Sequence, residues 1–581
     1  MTEAAESPLR LGPLLRHVGE THATLWVQTS HAATVTVTAG ARHASTKTFT
    51  AFGFHYALVL IEGLEPGSVT DYTVDIDAQR VWPPADSNLP PSRIATLDRA
   101  KPTRLAFGSC RTSSTHDREG NKRHGVDALR AYAAGMAQDD RSGWPDLLVF
   151  LGDQVYADEQ MPPEMVEFMR GRRDVTQPPG QEVKDYVEYD QLYQRAWGDP
   201  IIRWALSTIP STMIFDDHDV RDDWNTSWDW RQQMEQTSWW DERIRTGLAS
   251  YWVYQHVGNL APDELATDEI WQRIAAHHAV TNAGNAENAG ELDLTSALDE
   301  FAARANAHPD SYRWSYTRDL GESRLLVIDS RAARELHPDK RSMLDDAEMA
   351  WLHDQLTGEC RHLFIGTSLP VLLPPGLHDL EAIDEAAAQG AYGRIASRAA
   401  EALRQTLDLE HWAAFSDAFT EVMDSVMALA RGERGTPPTI IAFLSGDVHH
   451  SYLAEVDEPT QYGAHSRIVQ AVCSPIRNPM PRAIRVAMSL FARGVDRPMR
   501  LLSHRSRHVE TVRYPWSVTR GPWFDNSLAV VEVEGEDLHF RWWTGEVAGD
   551  DVDRPCSRIV ADLTVRAVAD SSGRSSRHSD R

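Results

Sequence analysis

The sequence contains few cysteines and no long apolar run, and each shortage excludes a class of protein. Its four cysteines are spread over 581 residues, and no two of them form a Cys-x-x-Cys pair. That spacing excludes a disulfide framework and a zinc finger, and it fits a reducing compartment. No stretch is apolar over enough residues to cross a bilayer, so a membrane is not an expected partner.

Basic residues are also in short supply. The chain has 58 Lys and Arg against 85 Asp and Glu, a formal net charge of −27. This excess of negative charge argues against a general affinity for nucleic-acid backbones or anionic lipid surfaces. It does not exclude small phosphorylated substrates, because a metal ion can attract them locally whatever the net charge of the protein.

The N-terminus carries no export signal. The segment MTEAAESPLRLG has no basic n-region, no hydrophobic h-region and no twin-arginine pair. Signal peptides are defined by these features. The sequence therefore predicts a soluble, cytoplasmic protein, and it gives no indication of the oligomeric state.

The length predicts at least two domains, because single cores usually stop growing at about 250–300 residues. Residues 1–98 carry short alternating segments, such as 23–28 and 33–38, separated by Gly and Pro turns. That pattern is typical of a small β-sandwich. Residues 63–74 look like the turn and tyrosine corner of fibronectin type III or immunoglobulin-like domains.

Residues 99–566 are predicted to form an α/β domain with mixed sheets and helices outside them. Helices are predicted in two insertions, about 160–200 and 228–310, and from about 396 to 431, where apolar residues follow a 3–4 spacing. The polar tail, 567–581, has the composition of a disordered segment. Apolar runs predict strands at 104–107, 146–151, 212–215, 324–329, 362–367, 440–445, 527–533 and 538–543.

Four of these apolar runs lead directly into side chains that bind metals. The carboxyl end of a parallel strand is where α/β folds place their chemistry, so the four ends are expected to share one rim. The motifs at these ends are GSC at 108–110, GDQVYAD at 152–158, DDHD at 216–219 and GDVHH at 446–450.

Asp153, Tyr156 and Cys110 each have a metal-binding and a plainer interpretation. Asp153 follows a glycine that allows a sharp turn, so its carboxylate can enter a crevice and bridge two metals; the alternative is a solvated loop residue. Tyr156 would bind only a strongly acidic metal such as Fe³⁺, and otherwise it packs. Cys110 is a thiolate ligand, a small core residue or a nucleophile, and no residue beside it in the sequence supplies an activating base.

The last two motifs are rich in carboxylates and imidazoles. The DDHD motif places three carboxylates around His218, which costs repulsion unless a cation neutralises them. Asp447 and His449 stand two residues apart, so in an extended segment both side chains leave the same face and form a metal half-site. A pair of solvated loop residues is the alternative.

The motifs GSC, GDQVYAD, FDDHD and SGDVHHS, in this order, resemble those of the alkaline phosphatase D (PhoD-like) family of calcineurin-like metallophosphoesterases. The segment IDSR at 328–331 looks like the LDTR motif of that family, and FIGTS at 364–368 is a further match. The likeness covers about residues 100–545. It implies an α/β fold with a four-layer αββα metallophosphatase core and mixed β-sheets, preceded by the small β-sandwich.

The resemblance also implies a binuclear centre that hydrolyses phosphate mono- or diesters through a metal-bound hydroxide. Asp153 would bridge an Fe³⁺ and a second ion, which is Ca²⁺ in the family, with Mn²⁺ or Zn²⁺ as alternatives. His218 would be the catalytic acid or transition-state stabiliser, and Asp153 the catalytic bridge. The assignment of Asp447 and His449 between the ions stays open. The implied ligands are Cys110, Asp153, Tyr156 and His449 for the iron, and Asp217 and Asp447 for the second ion.

Two features depart from the family. No export signal is present, although secretion is common there, and the two insertions are not part of the motif set. The expected partner is a small phosphate ester. A metal-binding scaffold with a degenerate phosphatase domain is a second hypothesis. A metal-free Ser or Cys hydrolase is a third, and it is disfavoured because the sequence has no Gly-x-Ser-x-Gly elbow.

Overall fold

The computed structural model describes residues 7–140, 143–159, 161–282, 290–480, 485, 506–509, 511–549 and 551–568. The predicted tail lies outside the described residues from position 569 onward. Among the helices of the described ranges, none is both long and apolar enough to cross a membrane. The strands are β1 (Leu9–Val18), β2 (His22–Thr29), β3 (Thr34–Ala39), β4 (Arg42–Lys47), β5 (Phe49–Ala51), β6 (Phe54–Glu62), β7 (Val69–Ile76), β8 (Gln79–Trp82), β9 (Arg93–Ala95), β10 (Arg104–Gly108), β11 (Leu147–Leu151), β12 (Ser211–Ile214), β13 (Leu292–Asp293), β14 (Tyr316–Leu320), β15 (Ser323–Ile328), β16 (His362–Thr367), β17 (Ile440–Ser445), β18 (Ser451–Val456), β19 (Arg467–Val472), β20 (Trp516–Trp523), β21 (Ser527–Glu534), β22 (Asp537–Val547) and β23 (Pro555–Val565).

Along the chain, most of the helices come between the strands of the second region. They are α1 (Arg118–His124), α2 (Ala128–Met136), α3 (Pro163–Arg172), α4 (Tyr186–Trp197), α5 (Pro200–Thr208), α6 (Trp228–Glu235), α7 (Trp240–Tyr251), α8 (Pro262–Thr267), α9 (Glu269–Asn282), α10 (Thr295–Ala307), α11 (Asp346–Gln355), α12 (Pro375–Ala388), α13 (Arg394–Leu407) and α14 (Ser416–Ala430).

The N-terminal region is a β-sandwich, as predicted. Its sheets run β1-β2-β6-β5-β13 and β4-β3-β7-β8, with β9 beside β7. Strand β3 buries every second side chain, the pattern of a sheet with one covered face. The sandwich also recruits β13 from the second insertion, which pairs with β5. The hydroxyl of Tyr72 donates to the carbonyl oxygen of Ser207, 2.6 Å away and outside the sandwich, so the tyrosine corner prediction is wrong.

Two mixed sheets form the centre of the second region and face each other. One runs β12-β11-β10-β21-β22-β23, and the other runs β14-β15-β16-β17-β19-β18-β20. In β16, Phe364 belongs to the core between the sheets, whereas Leu363 and Ile365 belong to the core under α14. Because α2 packs on β22 and β23 at the other side, the layers are helix, sheet, sheet and helix. Strands β21 and β22, which correspond to the predicted strands 527–533 and 538–543, pair antiparallel as a hairpin.

The helix predictions are confirmed in the insertions and partly wrong further on. Helices α3 and α4 occupy the first insertion, and α6 to α10 occupy the second. The continuous helix predicted from 396 to 431 is instead two helices, because Asp408 adopts a left-handed φ of 49° and ends α13. The apolar face predicted for α14 is buried at Phe419, Val422, Met423 and Val426.

The parallel strands place their carboxyl ends at one edge of the facing sheets. Strands β10, β11 and β12 are parallel in one sheet, and β15, β16, β17 and β19 are parallel in the other. Side chains that follow these strands therefore enter a common crevice, the usual position of a site in α/β folds.

Candidate metal centre

The loops that follow β10, β11 and β17 are joined by hydrogen bonds. The amide of Cys110 donates to the carbonyl oxygen of Gly152 over 3.4 Å. The amide of Asp447 donates to the hydroxyl of Ser109 over 3.0 Å. Three of the four motifs that were predicted to share a rim are therefore in direct contact.

Several residues of these loops have left-handed backbones. Such conformations cost of order 1–3 kcal/mol each in residues other than glycine, and they cluster at functional sites. Gly152, with φ of 106°, has to be glycine, because a Cβ there would lie 2.7 Å from the Cβ of Asp216. The strained residues include four of the predicted ligands, namely Cys110 (φ 56°), Asp153 (47°), Asp447 (62°) and His449 (52°).

Asp153 is a buried carboxylate. Both of its oxygens are enclosed, and no described residue donates to either of them. Asp153, Asp217 and His218 offer ligand atoms that lie within 4.8 Å of one another. Burial and the charge of Asp216 raise the pKa of Asp153 well above its usual value, against the opposing charge of His218. Such a carboxylate takes up a proton unless a cation stabilises its charged form.

A second acidic group adjoins the first. Asp216, Asp217 and Asp447 also offer oxygens within 4.8 Å of one another, and Asp217 belongs to both groups. One oxygen of Asp216 is buried with no donor among the described residues. Burial and the charge of Asp447 raise the pKa of Asp216 to about 8, although Arg331 lowers it. Two positions suited to cations therefore lie side by side.

Arg331, from the IDSR segment, offsets only part of this negative charge. Its buried guanidinium pairs with Asp216 and lies 3.2 Å from Asp217. Glu410 pairs with the same guanidinium and with Arg334, over 2.9 Å in the second case. Because Glu410 takes a share of Arg331, the aspartates keep an excess of negative charge.

Cys110 and Tyr156 are buried beside Asp153. Burial raises the pKa of both groups well above its usual value, and the charge of Asp153 raises it further in each case. The hydroxyls of Ser109 and Ser474 lie 3.1 Å and 3.2 Å from the Cys110 sulfur. A cysteine nucleophile needs a lowered pKa, so this environment argues against a metal-free cysteine hydrolase.

His218 is held by Asp158 rather than by the other members of the DDHD motif. Its Nδ1 lies 2.9 Å from the Asp158 carboxylate, and its ring stacks on that of Tyr156 with centroids 4.5 Å apart. Burial lowers the pKa of His218, but Asp158 and Asp217 outweigh it and raise that pKa well above its usual value. Asp219 turns away and accepts backbone N–H groups. His218 can therefore carry a proton at this site.

Asp447 is oriented by a histidine that no motif indicated. His411 lies between α13 and α14, and its Nε2 is 3.0 Å from an Asp447 oxygen. Its Nδ1 is 2.7 Å from Glu381 of α12. This chain of carboxylate, imidazole and carboxylate fixes the side chain of Asp447. Burial lowers the pKa of the neighbouring His449 to about 4, which keeps its imidazole neutral, the form that binds metals.

The predicted ligands are not all equally close. Asp153, Asp217 and Asp447 belong to the two acidic groups, whereas Cys110 and His449 belong to neither. The extended segment predicted for Asp447 and His449 is wrong. Strand β17 has ended there, and the amide of His449 donates to the carbonyl oxygen of Asp447 in a tight turn. Turn geometry, not strand alternation, directs these two side chains.

Other residues at the site were not predicted to act there. Asp158 and Asp216 stand inside the quoted motifs and Arg331 stands in IDSR, so the sequence carried a signal for them. Glu381 and His411 belong to a helical segment with no motif and are brought in only by the fold.

The donor set fits two metal ions of different character. A thiol and a phenol beside a carboxylate suit a trivalent iron once deprotonated, and a cluster of carboxylates suits a hard divalent ion. Both oxygens of Asp153 are enclosed and accept no hydrogen bond from a described residue, which suits them to bind a cation. The residues present therefore fit a pair of ions.

Comparisons with known proteins concern the family and the fold of this chain. The family model for PhoD-like phosphatases matches residues 109–512, and that for a domain of unknown function (DUF7800) matches residues 6–94. The solved structure of PhoD aligns with 98% of this chain and 92% of its own, with a TM-score of 0.58 and 12% identity. Purple acid phosphatase PPD1 from yellow lupin (Lupinus luteus) seeds covers 95% and 74%, with a TM-score of 0.48 and 9% identity. No curated protein matches in sequence.

The likeness to PhoD confirms the predicted metallophosphatase fold. The family match spans well over half of the chain and includes the Cys110, Asp153, Asp217 and Asp447 motifs. The chain belongs to the PhoD-like phosphatase family.

Proposed function

We propose that this protein hydrolyses phosphate mono- or diesters at a binuclear metal centre bridged by Asp153. The observation that carries the proposal is the Asp153 carboxylate, which is buried, has no hydrogen-bond donor among the described residues and lies beside a second group of aspartates. Protein folding alone does not favour such an arrangement, because an unpaired buried charge is costly. A pair of cations removes that cost.

The ligands divide by chemistry. Cys110, Tyr156 and His449 would join Asp153 around an Fe³⁺-type ion, since thiolate and phenolate stabilise a trivalent metal. Asp217 and Asp447 would hold a second ion, Ca²⁺, Mn²⁺ or Zn²⁺, with Asp216 close enough to contribute. When bound, the ions would polarise the phosphoryl group and lower the pKa of a water to supply the attacking hydroxide.

The chain's own residues position and move protons. Asp158 holds Nδ1 of His218. Nε2 lies 3.8 Å from Asp222, beyond hydrogen-bond distance, so it can donate to a phosphate oxygen or to the leaving oxygen as the ester bond breaks. Glu381 and His411 hold Asp447 in place. Tyr156 and Asp153 are buried, which reduces the solvent that competes for these groups.

The test is turnover of a monoester and a diester of the same aryl alcohol by chelator-treated protein, before and after metals are added back. Activity that depends on metal is expected, and Asp153→Asn should lower the rate by at least about 10³-fold, the scale seen when a main electrostatic contribution is removed. Asp345→Asn is the matched control, because Asp345 is also buried but caps α11, a role that asparagine fills equally well.

Near-normal turnover by Asp153→Asn would contradict the assignment. A protein that binds metals but turns over neither ester would instead support the scaffold hypothesis. A location in the cytoplasm stays a prediction.

A further inference from the structure

Ser109 and Ser474 place two hydroxyl groups on the sulfur of Cys110. Their oxygens lie 3.1 Å and 3.2 Å from it, and they come from the loops after β10 and β19. All three side chains are fully buried. The sulfur thus lies beside two hydroxyl groups, and 3.6 Å from the carbonyl oxygen of Asp447, in a place closed to solvent.

The direction of the Ser109 bond follows from its other partner. The Ser109 oxygen accepts the amide hydrogen of Asp447 over 3.0 Å. Its own hydrogen is then free to point at sulfur, and a deprotonated Cys110 can only accept it. Ser109 therefore links Asp447, in the loop after β17, to Cys110. The amide of Asp447 donates to the Ser109 hydroxyl, and this hydroxyl donates to the sulfur of Cys110.

The loop after β17 packs closely against the Ser109 hydroxyl. At Gly446 an added Cβ would lie 1.9 Å from the Ser109 oxygen, so the loop after β17 has no room for a side chain there. The hydroxyl of Ser474 has two possible acceptors, the sulfur at 3.2 Å and the carbonyl oxygen of Asp447 at 3.3 Å, so its hydrogen is shared between them. Ser109 is accordingly the principal donor and Ser474 the secondary one.

We propose that Ser109 and Ser474 are positioning residues that hydrogen-bond the Cys110 thiolate and weaken its donation of electrons to a bound metal. Hydrogen bonds to a ligating sulfur stabilise its lone pairs and tune the metal that it binds. Ser109 has a further effect, since it fixes Cys110 relative to Asp447, which is proposed to bind the neighbouring ion. The inference rests on the proposed role of Cys110 as a ligand.

The experiment uses chelator-treated protein loaded with Co²⁺, because Cys110 is the sole sulfur in the proposed ligand set and gives a thiolate-to-metal absorption band. Removal of a donor raises the energy of the sulfur lone pair, so Ser109→Ala should move this band to longer wavelength. Ser474→Ala should move it in the same direction by less.

Ser445→Ala is the matched control. Ser445 is also fully buried at a strand end, but its hydroxyl accepts a hydrogen bond from Gln470 and makes none to a sulfur among the described residues. Its band should stay at the wild-type wavelength, and a shift equal to that of Ser109→Ala would overturn the inference as a general packing effect.

The remaining outcomes separate this inference from the proposed function. A sulfur band that stays at the wild-type wavelength in both Ser109→Ala and Ser474→Ala overturns the hydrogen bonds alone. A wild-type spectrum identical to that of Cys110→Ser overturns the ligand assignment and this inference together. If Ser109→Ala does not fold, the shift in Ser474→Ala decides.

Discussion

Arg331 lies 3.2 Å from Asp217, and Asp217 is the residue that belongs to both acidic groups of the candidate centre. A single buried guanidinium therefore borders both proposed ion positions. It supplies one permanent positive charge, which helps the apoprotein to tolerate several aspartates in its interior. The proposed metal ions would neutralise the rest of the negative charge.

Replacing Arg331 with methionine should destabilise the metal-free protein strongly. Removing one partner of a buried ion pair costs about 3–5 kcal/mol, because the other charge is left uncompensated. The melting temperature should fall, and added metal should restore more of it than in the wild type. Arg558→Met is the control, since the exposed pair of Arg558 with Glu546 contributes at most about 1 kcal/mol. Equal losses in the two variants would contradict this account.

Glu348 should make stability depend on pH without any metal. Burial, and then the charge of Asp329, raises its pKa from 4.5 to about 8. The folded state then keeps a proton that the unfolded state loses, so stability falls as pH rises from about 4.5 to 8. Glu348→Gln removes this dependence. In chelator, its melting temperature relative to wild type should rise steadily between pH 5 and pH 8.

Asp354→Asn, an exposed change on the same helix, is the control and should show a constant difference from wild type over that range. The measurement is thermal unfolding at several pH values. A Glu348→Gln curve parallel to that of the wild type would rule out this origin of the pH dependence.

The fold could be predicted from its strongly apolar strands. Most of the candidate ligands could be predicted because they directly follow such a strand. Asp153 and Asp447 follow β11 and β17, whose five and six residues are all buried. Such runs are unambiguous, and parallel strand ends necessarily meet at one edge. The local geometry could not be predicted. The left-handed backbones of Asp153 and Asp447 are unfavourable for isolated residues and exist because surrounding loops impose them.

Contacts between segments that are distant in the chain could not be predicted from the sequence either. Glu381 precedes α13 in the chain and His411 follows it. The chain leaves the helical path after α13, and His411 there contacts Asp447. The regular 3–4 spacing predicted one helix across this region. Periodicity indicates which residues are buried, but it does not show that a left-handed Asp408 ends the first helix.

His218 and His449 should respond differently to alanine. His218 is held by Asp158 and is proposed as a proton donor, so His218→Ala should keep its metals and lose rate, most for esters with poor leaving groups. His449 is proposed as a ligand, so His449→Ala should lose metal and rate together. Metal stoichiometry and rates on a leaving-group series measure both. Metal loss in His218→Ala with retention in His449→Ala would reverse these roles.

The most direct test of the binuclear centre is the metal content and absorption spectrum of the protein as purified. Two ions per chain are expected, one of them iron, together with a visible colour from charge transfer between Fe³⁺ and the Tyr156 phenolate and Cys110 thiolate. Asp153→Asn, which lacks the bridging carboxylate, should lose bound metal and the colour with it. A colourless wild-type protein without a tightly bound transition metal would contradict the account.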